Sequence, residues 1–429
     1  MIHRPWLARW VRCAWLVLLL GGAASCAESL DAGATCPTLC ASGSLPLRDT
    51  TITPALAWDS TLTGFPDIGT EFGILVATRG DSLDARAVFR FDSTVRLFAP
   101  VGDTVRPISQ VDSARLLLRL DVVNAILPDT VVIEAFDVDT TSADTLPNTL
   151  VPLFRASRLL GSVRVPRILM LDSLRVPLDN AKLLAKLRTP GARVRIGIRA
   201  TGATSVQFRL QTSEIGQGAT LAYRATPDTA VRTVFVLGNS STPKLPDAER
   251  LALLDYGITV KAPAPGTGAI ATVGGLPARR AYLRFNLPTK LIDSTQIVRA
   301  TLYFTQQPAR GIGAKDTLSV YAQPPIVGSL VSDIRRQASF LAPLGIFVND
   351  SIRLAAGDSG TRSLEVVNLL RGWKGQSGTA APVRALVLRA STEGNSVAEF
   401  RFASTTSPIA ALRPRIRISY VGTPDVGVP

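Results

Sequence analysis

Arg86-Ala-Val-Phe-Arg-Phe-Asp92 and Arg280-Ala-Tyr-Leu-Arg-Phe-Asn286 are two versions of one segment. Both alternate. Ala87, Phe89 and Phe91 point one way, while Arg86, Val88 and Arg90 point the other, the signature of a half-buried β-strand. Working outward, the matches continue in the same order. Ser113-Ala-Arg-Leu-Leu-Leu pairs with Arg299-Ala-Thr-Leu-Tyr-Phe, and Asp129-Thr-Val-Val-Ile-Glu-Ala with Asp316-Thr-Leu-Ser-Val-Tyr-Ala. Val194-Arg-Ile-Gly-Ile-Arg-Ala corresponds to the segment from Val383, Ser205-Val-Gln-Phe to that from Ser396, and Leu221-Ala-Tyr223 to Ile418-Ser-Tyr420. Six ordered blocks define an internal repeat.

The blocks are separated by turn-forming clusters such as Pro100-Val-Gly-Asp and Ala356-Gly-Asp-Ser-Gly. Short alternating strands with polar turns predict an all-β fold: two tandem antiparallel β-sandwich or jelly-roll domains. The repeat places the first domain at 47–225 and the second at 229–422, with Ala225-Thr-Pro-Asp as the joint and 423–429 as a tail. Two segments carry helical periodicity, Asp179-Asn-Ala-Lys-Leu-Leu-Ala-Lys-Leu and Leu364-Glu-Val-Val-Asn-Leu-Leu-Arg-Gly-Trp. They fall at equivalent places, so one short helix per domain is expected.

The N-terminus reads as an address. Arg4, Arg9 and Arg12 precede the apolar run Ala14–Leu20, and small residues follow up to Ser25. This is the layout of an export signal over 1–25, and the run is too short to span a bilayer. Ala23-Ala24-Ser25-Cys26 resembles the bacterial lipobox, although that pattern prefers Leu at the position of Ala23. The resemblance implies lipidation at Cys26, an outer-membrane or cell-surface location, and a tether over 26–46. In an oxidising compartment Cys36 and Cys40 are expected to pair; two thiols without further His or Cys do not complete a zinc site.

Composition excludes several chemistries. His3 is the single histidine and lies in the export signal, so the mature chain lacks histidine triads, Cys-His dyads and histidine metal sites. No catalytic residue, cofactor or metal is predicted; carboxylate or tyrosine chemistry on a polysaccharide stays open as an alternative. Net charge is +14 over the whole chain, and residues 1–25 contribute three arginines and no acid to it. A basic balance suits anionic polysaccharide or lipopolysaccharide as partner. Nucleic acid is not expected, because stacking aromatics are sparse and no recognition motif is present.

Arginine recurs at the non-core positions of the predicted strands: Arg86 and Arg90, Arg115 and Arg119, Arg280 and Arg284. Two readings stand. These side chains form a basic plate for carboxylate or sulfate groups, or they form a solvated outer face that discourages edge-to-edge pairing. Trp58, in a loop-like stretch, is a candidate for stacking on a sugar; Trp373 is expected to cap the core. Asp137, Asp139 and Asp144 suit either a solvated turn or a structural calcium.

The set of motifs resembles the DNRLRE-type extracellular β-sandwich module. It rests on Asp67-Ile-Gly69, the strands at Arg86 and Arg280, Ala114-Arg-Leu, Ala300-Thr-Leu, Leu370-Arg-Gly-Trp373-Lys-Gly and the closing segment Arg413–Tyr420. The first half lacks the Trp and closes with Ala219-Thr-Leu-Ala-Tyr. The resemblance implies a carbohydrate-binding module or an appendage of the cell surface. The expected function is therefore a non-catalytic envelope lipoprotein that binds or displays, with anionic glycans or an envelope protein as partner. A purely structural assembly component is the alternative.

Overall fold

The computed structural model describes residues 46–53, 55–66, 68–91, 94, 97–98, 106–140, 147–189, 194–226, 231–235, 255–325, 350–375 and 384–422. Two strands come first, β1 (Arg48–Ile52) and β2 (Leu56–Phe65). Then follow β3 (Gly73–Arg79), β4 (Leu83–Phe91), the small pair β5 (Leu97–Phe98) and β6 (Arg106–Pro107), β7 (Gln110–Ile126) and β8 (Thr130–Asp137). Next are β9 (Leu159–Pro166), β10 (Ser173–Pro177), β11 (Val194–Gly202), β12 (Val206–Gln211) and β13 (Thr220–Thr226). After these come β14 (Val231–Phe235), β15 (Asp255–Lys261), β16 (Ile270–Gly274), β17 (Ala278–Phe285), β18 (Thr295–Gln307) and β19 (Thr317–Gln323). The last five are β20 (Asp350–Ala355), β21 (Gly360–Glu365), β22 (Ala385–Ala390), β23 (Glu399–Ala403) and β24 (Arg415–Gly422). The fold is all-β and antiparallel, as the alternation predicts.

Strand pairing divides the chain into two sandwiches of the same topology. One orders its strands β14-β13-β7-β12-β3-β4-β11-β8-β9, with β10 on β7 and β15 on β4. The other runs β1-β24-β18-β23-β16-β17-β22-β19-β20, with β21 on β18 and β2 on β17. Strand by strand, β1 and β2 in the second sandwich take the places that β14 and β15 take in the first. The N-terminal strand pair thus completes the sandwich built from the C-terminal half. Arg48 faces Tyr420 and Ile52 faces Ile416, while Tyr282 faces Ser60 and Leu283 faces Asp59.

This pairing moves the boundary from where the repeat places it. Residues 226–230 link β13 to β14, and those two strands pair with each other, Leu221 opposite Val234. The first sandwich is therefore continuous from β3 to β15. The crossing to the second lies between Lys261 and Ile270, a stretch containing Pro263, Pro265, Gly266 and Gly268.

Each sandwich has two layers around one core. In the first, β9-β8-β11-β4-β15 form one layer and β10-β7-β13-β14, continued by β12 and β3, form the other. Phe89, Phe91, Leu116, Leu118, Ile133, Ile196, Phe208 and Tyr223 meet between them, all essentially without solvent contact. In the second, Leu283, Leu302, Phe304, Val320, Leu386, Phe400 and Ile416 do the same, with Phe304 edge-on to Phe402 at 4.7 Å. The long strand β7 serves both edges of its layer because it bends. Ser113 and Asn124 adopt φ of 55° and 60°, and the register slips against β13 and β12 near these points, as at β-bulges. At Gly161 a side chain is excluded: a Cβ there would sit 2.0 Å from the Pro177 carbonyl oxygen.

The helix at Asn180–Arg188 forms as expected, with the Asp179 carboxylate accepting from the Lys182 N–H at 3.0 Å as its N-cap. Its counterpart is shorter than its periodicity suggests, Val367–Gly372. Leu364 and Glu365 belong instead to β21, where Glu365 accepts from the Ala300 N–H and anchors the sheet. Trp373 ends that helix buried against Phe285, at 5.4 Å. Short helices at Pro147–Leu150 and Thr289–Asp293 add to the predicted pair. Trp58 lies on β2 opposite Arg284, in a strand rather than a loop.

Candidate functional site

The predicted arginine plate does not assemble as one surface. Arg86, Arg90, Arg280 and Arg284 lie on the layers containing β4 and β17, whereas Arg115 and Arg119 lie on β7, across the core. The outer face of the β4 layer is also not solvent. Val88, Phe136, Val138, Leu150, Phe154, Tyr256 and Ile258 form a second apolar cluster over it, fed by β15 and by the segment between β8 and β9.

Arg86 in that layer, and Arg280 in the β17 layer of the second sandwich, where Leu62 and Phe65 supply the cover, are paired inside the protein. Arg86 is 8% exposed, binds both oxygens of Asp84 at 2.9 and 2.6 Å, and lies 4.7 Å from the Phe154 ring. Arg280 is also 8% exposed; it grips Glu393 with two bonds of 2.8 Å and stacks 4.0 Å from the Phe65 ring. Arg90 is half-buried opposite Arg195, which is wholly buried. Only Arg284 of this group is exposed. As planar forks saturated by a carboxylate and an aromatic face, Arg86 and Arg280 hold structure together and have no capacity left for a ligand.

The β7 layer keeps a smaller basic patch. Arg119 is exposed and Arg115 half-exposed, and the neighbouring β10 adds the exposed Arg175. Arg119 faces Ser173 and Leu117 faces Arg175, so the three guanidinium groups rise from adjacent strands on one outer face. With strands about 4.8 Å apart and a rise of about 3.3 Å per residue, they share a patch roughly 13 Å long. Among the described residues no carboxylate pairs with any of the three; Arg115 donates to the Ser113 carbonyl at 3.2 Å. Sequence reasoning found Arg115 and Arg119 and missed Arg175. Its signal was present in Ser173-Leu-Arg-Val-Pro177, where Leu174 and Val176 alternate into the core. Beside the patch, the turn before β10 holds Ile168, Leu169 and Leu171 out at 79, 59 and 60% exposure while Met170 between them is buried.

A second feature lies where the sandwiches meet. Leu75, Ala77, Leu83 and Ala85 of the first pack against Leu276 and Val397 of the second. Beside this contact is a cavity of about 380 Å³ walled by Phe65, Pro66, Leu75, Leu276, Pro277 and the backbone of Gly257, with Ile68 at its rim. Glu71 reaches it and is 7% exposed. Its Oε2 accepts from the Gly69 N–H at 2.7 Å. Burial pushes the Glu71 carboxyl up to about 7, against the downward pull of the backbone N–H groups of Glu71, Gly69 and Gly257. Asp255, also buried, is shifted upward by burial but does not turn to the cavity; the Ser213 N–H and hydroxyl occupy its two oxygens at 2.7 Å each.

The Glu71 shift has a pH signature. A carboxyl whose folded pKa lies above its unfolded 4.5 stabilises the fold fully below about 4.5, and this contribution is lost as pH rises through about 7. The window is worth as much as about 3 kcal/mol. Glu71→Gln, which cannot ionise, is expected to lose less stability than the parent between pH 4.5 and pH 8. Urea unfolding at the two pH values measures this, and parallel losses in the two proteins would refute it.

The remaining candidates are placed as follows. Asp137 and Asp139 are engaged by Lys186 at 3.0 and 3.2 Å, and Asp137 also by Arg158 at 3.1 Å, so cations already serve two of the three carboxylates considered for calcium. Asp144, Cys26, Cys36 and Cys40 lie outside the described residues.

No protein-family model matches the chain, and no curated protein matches it. Among solved structures, similarity is recorded to the Macrobrachium rosenbergii nodavirus, at 8% identity over 90% of this chain and 93% of that one, with a TM-score of 0.17. The tandem CBM22-1–CBM22-2 domain of Paenibacillus barcinonensis Xyn10C aligns at 9% identity over 87% of this chain and 99% of its own, with a TM-score of 0.12. Superpositions this distant carry no argument about ligand or activity.

Proposed function

We propose that the protein is a non-catalytic envelope lipoprotein, anchored through Cys26, that binds anionic polysaccharide on the outer face of β7 and β10. The observation that carries this reading is the trio Arg115, Arg119 and Arg175, side by side and without carboxylate partners among the described residues. Guanidinium groups in that state are free to take uronate, sulfate or phosphate oxygens bidentately. Elsewhere in the same molecule, Arg86, Arg199, Arg209 and Arg280 are each neutralised by an acid. The resemblance to DNRLRE-type modules and the basic composition agree with such a ligand. The lipobox-like Cys26 supplies the address.

Replacing Arg115, Arg119 and Arg175 together by Ser is expected to weaken binding to polygalacturonate or alginate roughly ten- to a hundredfold. The melting temperature should stay close to that of the parent, since exposed substitutions typically cost under about 0.5 kcal/mol each. Binding should also fall with added salt. Isothermal titration of the mature protein at two salt concentrations is the measurement; undiminished binding by the triple variant would overturn the assignment. A second reading, a structural assembly component, is favoured by the exposed Ile168, Leu169 and Leu171, which suit a protein partner. Under it, the triple variant keeps its envelope association and only changes at this turn release it.

A further inference from the structure

We infer that the cavity between the two sandwiches is a binding site for a small organic cation, an apolar molecule bearing an amine that Glu71 receives. The cavity has the dimensions of a ligand site: about 380 Å³, with walls from Phe65, Pro66, Leu75, Leu276 and Pro277. Such a volume accommodates an aromatic ring with a short side chain. Its described lining is mostly apolar, with Thr259 and Tyr256 adding hydroxyl groups, and its one ionisable carboxyl group is that of Glu71, which is almost wholly buried.

What makes the site specific is a missing charge. Buried carboxylates are ordinarily matched by a cation, because burying an unpaired charge is costly. This protein follows that rule elsewhere: Glu393 is held by Arg280 and Arg389, and Glu399 by Arg279 and Arg401. Glu71 is different. It takes backbone N–H groups, and among the described residues no Lys or Arg forms an ion pair with it. The charge that acts on it is that of Asp255, of the same sign, and among the described residues Asp255 takes the Ser213 N–H and hydroxyl and no Lys or Arg. Two buried acids, an apolar cavity against one of them and no cation in place define a complement: positive, compact and apolar-bodied. An ammonium group at Glu71 would add a charge-assisted hydrogen bond where one acceptor position remains, and the aromatic and proline walls would cover the rest. Anionic or strongly polar molecules would meet Glu71 and the apolar walls unfavourably. The site is distinct from the β7–β10 patch and shares no residue with it.

The test uses 2-phenylethylamine, 2-phenylethanol and 3-phenylpropionate as probes on the mature protein at pH 8, read by isothermal titration and by NMR. The amine is expected to bind saturably at one equivalent, the alcohol roughly ten- to a hundredfold more weakly, and the carboxylate not at all. Glu71→Gln is expected to bring the amine down to the level of the alcohol while the fold, followed by its melting transition, is kept. Ile68→Trp, at an exposed rim position, narrows the mouth without touching Glu71 and is expected to weaken amine and alcohol alike; it decides the matter should Glu71→Gln fail to fold. No saturable binding of the amine, equal affinity for amine and alcohol, or amine binding indifferent to both substitutions would overturn the inference.

Discussion

A chain shortened to begin at residue 67 is expected to keep its first sandwich and lose its second. The first sandwich is continuous from β3 to β15, and none of its strands pairs with the removed segment, whose strands join β24 and β17. The second loses β1 from the edge of β24 and β2 from the outer side of β17. Removal strips the cover from Tyr282, Ala385 and Val387, which now cluster with Leu62 and Phe65, and takes Ala55 and Leu56 out of the second core. Burial of one large apolar side chain is worth about 1.5–3 kcal/mol, so three or four such losses exceed the lower end of the roughly 5–15 kcal/mol that holds a domain folded. Calorimetry should show a smaller unfolding enthalpy, and amide exchange should lose its protection across β17 and β22 but keep it across β4 and β11. A peptide of residues 47–66 added in trans is expected to restore protection. Unchanged exchange over β17 in the shortened chain would refute the strand assignment.

Arg280→Ala is expected to cost about 3–5 kcal/mol, the range for breaking a buried ion pair from one side. It leaves Glu393, with a side chain 4% exposed, facing among the described residues Arg389 alone at 3.8 Å, and it removes the cation stacked on Phe65. Combining Arg280→Met with Glu393→Leu should recover part of the loss, because Arg389, which then lacks its acid, keeps its hydrogen bond to Gln323 and its place over the Tyr321 ring. Chemical denaturation of the two single variants and the double variant measures the coupling. If Arg280→Ala proves as mild as a change at Arg119, the internal pairing described here is wrong. The contrast matters for function as well: two arginines alike in sequence pattern, Arg119 and Arg280, are assigned opposite roles.

That contrast marks the limit of what the sequence makes legible. Alternation in Arg86–Asp92 correctly separates Ala87, Phe89 and Phe91 from Arg86 and Val88. It reports that two faces differ, and not that one of them is wet. Val88 and Arg86 belong to a face that Phe154 and Tyr256 cover, and those residues arrive from distant segments. The internal repeat likewise predicts two sandwiches of one kind. Because the strands beginning at Arg86 and Arg280 are equivalent, either offers β2 a suitable partner, so local pattern does not choose between pairing within a half and pairing across the chain. The Asp179 cap and the helix after it were readable because capping is local. Glu71 carried no signal: it stands alone in Gly69-Thr-Glu-Phe-Gly73, and its burial comes from the meeting of two sandwiches.

The closing of the second sandwich by the first two strands has a consequence in time. Asp49 finds Arg417 across 368 positions of chain, and a contact of that span forms only after nearly everything between has been made. Synthesis runs from the N-terminus, so of the described strands β1 and β2 emerge first; β2 waits for β17 and β1 for the last strand, β24. Folds dominated by distant contacts are slow to form. Here the delay falls on two strands whose edges stay open to wrong partners until β17 and β24 appear. Among the described strands, the first to be synthesised thus waits for the last.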